Sequence, residues 1–114
     1  TYPAEPIAWK VLTAIYAQTG RLSESLQAGR TLVELVPDDA EAHNNFGGAL
    51  QRAGRLEEAL ESFKKAAIID PKLAPAHFNV GTVLMGLEHF GDAEVSLRQA
   101  LALQPTFVES YVHY

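Results

Sequence analysis

Histidine and carboxylate side chains are the groups in this sequence that could carry acid–base or metal chemistry. His43 and His77 lie in similar surroundings in two related stretches, His89 lies in a polar turn, and Asp38 and Asp39 are adjacent. No H-E-x-x-H, G-x-S-x-G or G-x-G-x-x-G motif accompanies them. The two aspartates precede a helical pattern, where carboxylates act as N-caps. The sequence therefore predicts no enzyme activity, no catalytic residue, no metal site and no cofactor.

Asparagines offer binding chemistry instead. The stretch "AHNNFGG", residues 42–48, places two asparagines and two glycines inside an otherwise amphipathic helical pattern. Both residue types are less favourable than alanine in a helix interior, so another role has to explain them. The glycines lack the following Lys-Ser/Thr of a phosphate-binding loop, which favours a packing role. The asparagine carboxamides can both donate and accept hydrogen bonds, which suits them to binding a peptide backbone.

Composition narrows the class of protein. The chain has 114 residues, 47% hydrophobic and 20% charged, which is typical of one soluble globular domain. Its formal net charge of -5 argues against a nucleic-acid partner, which would require clustered cations. Since no apolar run approaches the roughly 20 residues of a membrane span, no membrane partner is predicted. The absence of cysteine assigns no compartment, and a cytoplasmic location is favoured.

The chain repeats itself at a fixed period. Residues 40–71 aligned with residues 74–105 share ten identities. The first members of these pairs are Ala40, Ala42, His43, Asn45, Gly47, Leu50, Ala59, Ser62, Ala66 and Pro71. A fixed period of this length indicates stacked copies of one structural unit.

Each unit has the pattern of two helices joined by a tight turn. In the middle unit His43, Phe46, Gly47 and Leu50 follow the i, i+3, i+4, i+7 spacing of one helix face. Gly54 lies in the turn that follows, where it can adopt the left-handed conformation that ends a helix. No strand pattern competes, so the sequence predicts an all-α fold in which His43 and His77 fill space between helices.

These residues resemble the tetratricopeptide repeat (TPR) family, whose signature is W-x2-L-G-x2-Y, then A-x3-F, then P. The middle unit fills it with His43, Phe46, Gly47, Leu50, Ala59, Phe63 and Pro71. The first unit departs from it at Thr13 and Gly29. The expected units are residues 6–39, 40–73 and 74–107, with a partial fourth at 108–114, in a single domain that is a fragment of a longer chain.

The resemblance implies a right-handed superhelical stack of antiparallel helix pairs, an α-solenoid whose first helices line a concave groove. It also implies a protein–protein interaction module that binds a peptide or protein segment there. Asn45 is predicted to face this groove, and its equivalents one period apart are Val11, Asn79 and His113. The asparagines are similar to those of the TPR arrays of O-linked N-acetylglucosamine transferases, which hold a substrate backbone.

The predicted groove residues surround these positions on the first helices. They are Asn45, Asn79, His113, Lys10, Ala14, Glu41, Asn44, Gly48, Gln51, Arg52, Phe78, Thr82 and Met85. Two alternatives stay open: the asparagines could instead tie neighbouring helices together, and Phe78 and Met85 could fill space between units.

Two other functions also stay open from the sequence. The first is self-association as a homo-oligomer through the partial fourth unit, which presents Val108, Tyr111, Val112 and Tyr114. The second is a role as the substrate-recognition arm of a larger transferase.

Overall fold

Six α-helices make up the part of the chain that the structure describes. The computed structural model describes residues 6–103, with side chains from residue 7 onward. The helices are α1 (Pro6–Gln18), α2 (Leu22–Leu35), α3 (Ala40–Arg52), α4 (Leu56–Ile69), α5 (Ala74–Gly86) and α6 (Phe90–Leu103). The starting residues of α1, α3 and α5 are evenly spaced along the chain, as are those of α2, α4 and α6. The expected partial fourth unit, residues 108–114, lies outside the described residues.

The helices form two layers. Each helix packs against the next one in sequence, and α3 also contacts both α1 and α5. The helices α2, α4 and α6 make no such contacts with one another within the described range. The inner layer is therefore α1, α3 and α5, and the outer layer is α2, α4 and α6. This arrangement is an all-α solenoid of repeats.

The three turns inside the units share one backbone conformation. Gly20 and Gly54 have φ values of 76° and 80°, and Glu88, one period further on, has a φ of 65°. The left-handed conformation leads the chain from one helix to the next without a steric cost at glycine. At Glu88 the same turn costs about 1–2 kcal/mol because its Cβ crowds the following carbonyl. The turn geometry is thus preserved even where glycine is replaced.

Glycines set the distance between the two helices of a unit. A Cβ on Gly47 would lie 2.7 Å from two ring atoms of Phe63, and a Cβ on Gly81 would lie 2.7 Å from Leu97. Phe63 is completely buried. The predicted packing role of these glycines is confirmed, because the large residue of the outer helix occupies the space that their missing side chains leave.

The first unit compensates for its two departures from the signature. Gly29 stands where Phe63 and Leu97 stand in the other units, and the ring of Phe46 from the next unit fills the space beside it. Thr13 is buried in place of the glycine, and its hydroxyl donates to the Trp9 carbonyl at 2.8 Å. In the first unit the small residue therefore lies on the outer helix, and the next unit supplies the large side chain that packs against it.

The histidines at the family's aromatic position act structurally. His43 is buried, and its Nε2 donates to the Pro37 carbonyl oxygen at 2.8 Å. His77 repeats this bond with the Pro71 carbonyl at 2.8 Å. Each imidazole thus fixes the inner helix of its unit to the loop that precedes it.

Adjacent glycines of α3 provide a test of this packing. We expect Gly47→Ala to lower the free energy of unfolding by about 1–3 kcal/mol, because the buried Phe63 ring cannot move aside. Gly48→Ala is the matched control, since its Cβ would meet only the Arg52 side chain at 3.7 Å. That change should stabilise the chain by up to about 1 kcal/mol through helix propensity. Urea denaturation followed by circular dichroism measures both, and equal effects of the two variants would contradict the packing role.

Candidate functional site

A cavity of about 780 Å³ opens on the inner layer of helices. We call it the inner cavity. It is lined by Thr13, Ala14, Ala17 and Gln18 of α1, by Asn44, Asn45, Gly48, Gln51 and Arg52 of α3, and by Pro75, Phe78, Asn79 and Thr82 of α5. All three inner helices contribute and no outer helix does, because the outer layer covers only their opposite sides.

Most of the predicted groove residues line this cavity. They are Ala14, Asn44, Asn45, Gly48, Gln51, Arg52, Phe78, Asn79 and Thr82. Four further lining residues were not predicted, namely Thr13, Ala17, Gln18 and Pro75. Ala17 and Gln18 lie one period before Gln51 and Arg52, so the repeat itself could have identified them.

Lys10 and Glu41 do not line the inner cavity. The Lys10 ammonium lies 2.8 Å from Asp39 and 3.1 Å from Glu41, so it links α1 to the start of α3. Glu41 and Asp39 border a separate hollow formed with the loops before α3 and α5.

Met85 and His113 are also not among its lining residues. Met85 is half exposed and borders a hollow against α6 at the C-terminal end of the described array. His113 lies outside the described residues. Phe78 is buried against Ala100 while one side lines the cavity, so it combines the two roles that the sequence left open.

Hydrogen bonds between side chains cross from α3 to α5 on the floor of the inner cavity. Asn79 Nδ2 donates to Asn44 Oδ1 at 3.1 Å, which ties the two helices as one of the sequence alternatives proposed. Gln51 Nε2 donates to Thr82 Oγ1 at 3.4 Å. The Thr82 hydroxyl in turn donates to the backbone carbonyl of Asn79 at 3.0 Å. These bonds fix the orientation of most amides of the cavity.

Asn45 differs from its equivalent. Within the described residues its carboxamide makes no hydrogen bond, although the residue is half-buried and lines the same cavity. Both of its N–H groups and its oxygen are therefore open to another molecule. Asn45 and Asn79 therefore differ in how many hydrogen-bonding groups they leave free for a ligand. Their similar surroundings in the sequence predict the same role for both.

Arg52 is the one charged residue among the described lining residues. It is exposed at the end of α3, and the described residues contain no ion pair that involves it. The inner cavity therefore carries positive charge in a chain whose formal net charge is -5.

The junction between α1 and α3 shifts the ionisation of two groups. The hydrogen bonds with Asp39 and Glu41 raise the pKa of Lys10. Partial burial acts to raise the pKa of Asp39, but the bond from Lys10 and the backbone N–H of Ala42 outweigh it and leave that pKa lowered. The Asp39 carboxylate also caps α3, accepting from the Ala42 N–H at 3.2 Å.

Metal-binding geometry is absent from residues 6–103. In that range no three histidine, aspartate or glutamate side chains come together in a group that could hold an ion. None of the helices between residues 6 and 103 combines the length and apolar character that crossing a membrane requires.

Family comparisons match nearly the whole described array. One tetratricopeptide repeat model matches residues 15–74 and a second matches residues 74–107. The chain belongs to the tetratricopeptide repeat family. No curated protein matches it significantly in sequence.

Solved TPR structures superimpose closely on this chain. MamA has a TM-score of 0.87 at 19% identity over 96% of this chain. TTC0263, a thermophilic TPR protein of Thermus thermophilus, has a TM-score of 0.82 at 31% identity over 91% of this chain. YrrB, a TPR protein with an unusual peptide-binding site, has a TM-score of 0.84 at 27% identity over 94% of this chain.

This TPR chain is shorter than those relatives. It spans 64% of the MamA chain, 59% of the TTC0263 chain and 56% of the YrrB chain. The family and the fold support a protein–protein interaction module.

The Asp39 carboxylate provides a pH-dependent test of the junction. Because its folded pKa lies below its ordinary value of 3.8, its contribution is complete above that pH and is lost as the pH falls through the lower folded value. We expect Asp39→Asn to lower the free energy of unfolding at pH 7 by up to about 1 kcal/mol, because asparagine can still cap α3 but cannot form the ion pair with Lys10. The loss should shrink below about pH 4, where the wild-type carboxylate begins to be protonated itself.

Asp38→Asn is the matched control, since Asp38 is exposed next to the cap and caps no helix in the described range. Thermal unfolding of both variants between pH 3 and pH 7 gives the comparison. Equal, pH-independent effects of the two changes would contradict the assigned role of Asp39.

Proposed function

We propose that this TPR chain binds an extended segment of another protein in the inner cavity and that Asn45 contacts the backbone of that segment. One observation carries the proposal. The Asn45 carboxamide makes no hydrogen bond within residues 6–103, and it lies beside amides that hydrogen bonds hold in place. The bond between Asn79 and Asn44 already positions those two amides, so they lose little freedom when a ligand binds, while Asn45 offers all of its donors and its acceptor.

The spacing of the inner helices suits an extended ligand. Packed helices lie about 8–10 Å apart, and an extended peptide advances about 3.3 Å per residue. A side chain from each successive inner helix can therefore meet about every third residue of the ligand. Asn79 still has one N–H available after its bond to Asn44, so it can contact the ligand on α5 as Asn45 does on α3.

Recognition of the backbone leaves the ligand sequence open, while two other groups bias it. Phe78 is largely buried, and the side that lines the cavity offers an apolar contact on α5. Arg52 offers a guanidinium that no carboxylate of the described residues pairs with, which favours a carboxylate from the ligand in a charge-assisted hydrogen bond. We therefore expect ligands to combine an apolar side chain with a nearby acidic one.

The lining chemistry and one relative support binding rather than catalysis. Amide, hydroxyl and guanidinium groups dominate the polar part of the described lining, and they hold peptide groups without exchanging protons at neutral pH. YrrB, at 27% identity, is described as having an unusual peptide-binding site. We infer a binding function for this chain from the same fold and its own polar cavity.

Random 12-residue peptides displayed on phage and selected on the immobilised chain provide the probes. Fluorescence anisotropy of the recovered peptides then measures binding to each variant. We expect Asn45→Ala to raise Kd about fivefold or more for every peptide, since one hydrogen bond contributes about 1 kcal/mol. Circular dichroism should show unchanged helix content, because Asn45 makes no side-chain bond within residues 6–103.

The control replaces another amide by alanine outside the inner cavity. Gln99 is exposed on the outer helix α6, so Gln99→Ala should leave Kd unchanged. The double variant Asn45→Ala/Asn79→Ala should bind still more weakly and lose some stability, since it also breaks the bond to Asn44. If Asn45→Ala changes no affinity, or if selection recovers no peptide, the proposal fails.

A further inference from the structure

The C-terminal end of the described array presents an exposed apolar face. A hollow of about 560 Å³ opens there, bordered by Met85, Phe90, Ala93, Glu94, Leu97, Arg98 and Leu101. Phe90 is 63% exposed, and Met85 and Leu101 are 50% and 41% exposed. We call the residues of this hollow that lie on α6 the α6 face.

The same face one period earlier is covered. Leu56, Phe63 and Ala67 of α4 correspond to Phe90, Leu97 and Leu101, and α5 packs over them. Phe63 is completely buried there, against Val80, Val83 and Leu84 of α5. The α6 face is therefore a second copy of an interface that is filled elsewhere in this chain.

The opposite end of the array presents the complementary surface. Ile15 of α1 is 44% exposed, whereas its equivalents Ala49 and Val83 are each 1% exposed because a preceding helix covers them. Ala8 of the same helix is exposed and Leu12 is half-buried, whereas their equivalents Ala42 and Phe46 are buried. We call Ala8, Leu12 and Ile15 the α1 face.

We propose that the α6 face of one copy binds the α1 face of another, with α1 taking the place on α6 that α5 takes on α4. One chain thus supplies both halves of an interface whose geometry it already builds internally. The driving force is burial of the apolar side chains that the last and first helices leave in water. The contact is head-to-tail, so it leaves one free face at each end and extends into longer chains of copies.

This association would also lengthen the binding surface. The inner helix α1 of the second copy would follow α5 of the first, and the two inner layers would become continuous. A long ligand could then contact several copies at once, which raises its apparent affinity by the effective-concentration effect.

Sedimentation velocity over a wide concentration range from micromolar upward provides the test, with the 114-residue chain used throughout. The wild-type chain should show a mass that rises with concentration. Leu101→Lys, which blocks the α6 face, and Ile15→Lys, which blocks the α1 face, should each weaken association about tenfold or more, because each removes a buried apolar side chain.

Mixing the two variants separates head-to-tail contact from any symmetric contact. The Leu101→Lys copy keeps its α1 face and the Ile15→Lys copy keeps its α6 face, so an equimolar mixture should form a one-to-one dimer and nothing longer. Ile68→Lys is the matched control, since Ile68 is 77% exposed near the end of α4 and belongs to neither face. It should associate like the wild type.

Thermal unfolding of each variant checks that the fold is intact, and Phe90→Lys replaces Leu101→Lys if the latter melts earlier. A wild-type chain that stays monomeric at all concentrations overturns the proposal, and it would mean that residues 104–114 or another segment cover the α6 face. Undiminished association of either single variant, or a mixture that stays monomeric, overturns it as well.

Discussion

Each helix between residues 6 and 103 packs against the helices beside it in the stack, and Phe63 packs closely against Gly47 there. The Phe63 ring fills the space of the missing side chain and thereby keeps α3 and α4 in close contact. Gly81 with Leu97 and Gly29 with Phe46 repeat the same device. Because the outer helices hold the inner ones at a constant spacing, the inner side chains can form one continuous surface.

The polar groups of the inner cavity depend on that spacing. The bond from Asn79 to Asn44 joins two different repeats and can form only if α3 and α5 lie at the distance that the packing sets. Once formed, it holds two amides still and leaves the carboxamide of Asn45 without a partner in the described part of the chain. Packing thus orders part of the cavity, while Asn45 keeps its full capacity for hydrogen bonding.

The same nearest-neighbour principle creates exposed surface at the ends of the described array. Ala49 and Val83 are buried because a preceding helix covers them, whereas their equivalent Ile15 on α1 stays 44% exposed. Within residues 6–103, α1 and α6 each lack a neighbouring helix on one side. The apolar character of the ends and the polar character of the inner cavity are therefore two consequences of one architecture.

Much of this organisation follows from the sequence alone, and the rest was decided only by the tertiary structure. The identities that recur one period apart determined the helix pairs, the family and most residues of the inner cavity, because a constant period returns equivalent side chains to the same face. Sequence patterns nevertheless treated Asn45 and Asn79 alike, and they placed Lys10 in the groove although it pairs with Asp39 and Glu41. Periodicity fixes the direction in which a side chain leaves its helix, whereas its partner depends on distances between helices and on the rotamers available there.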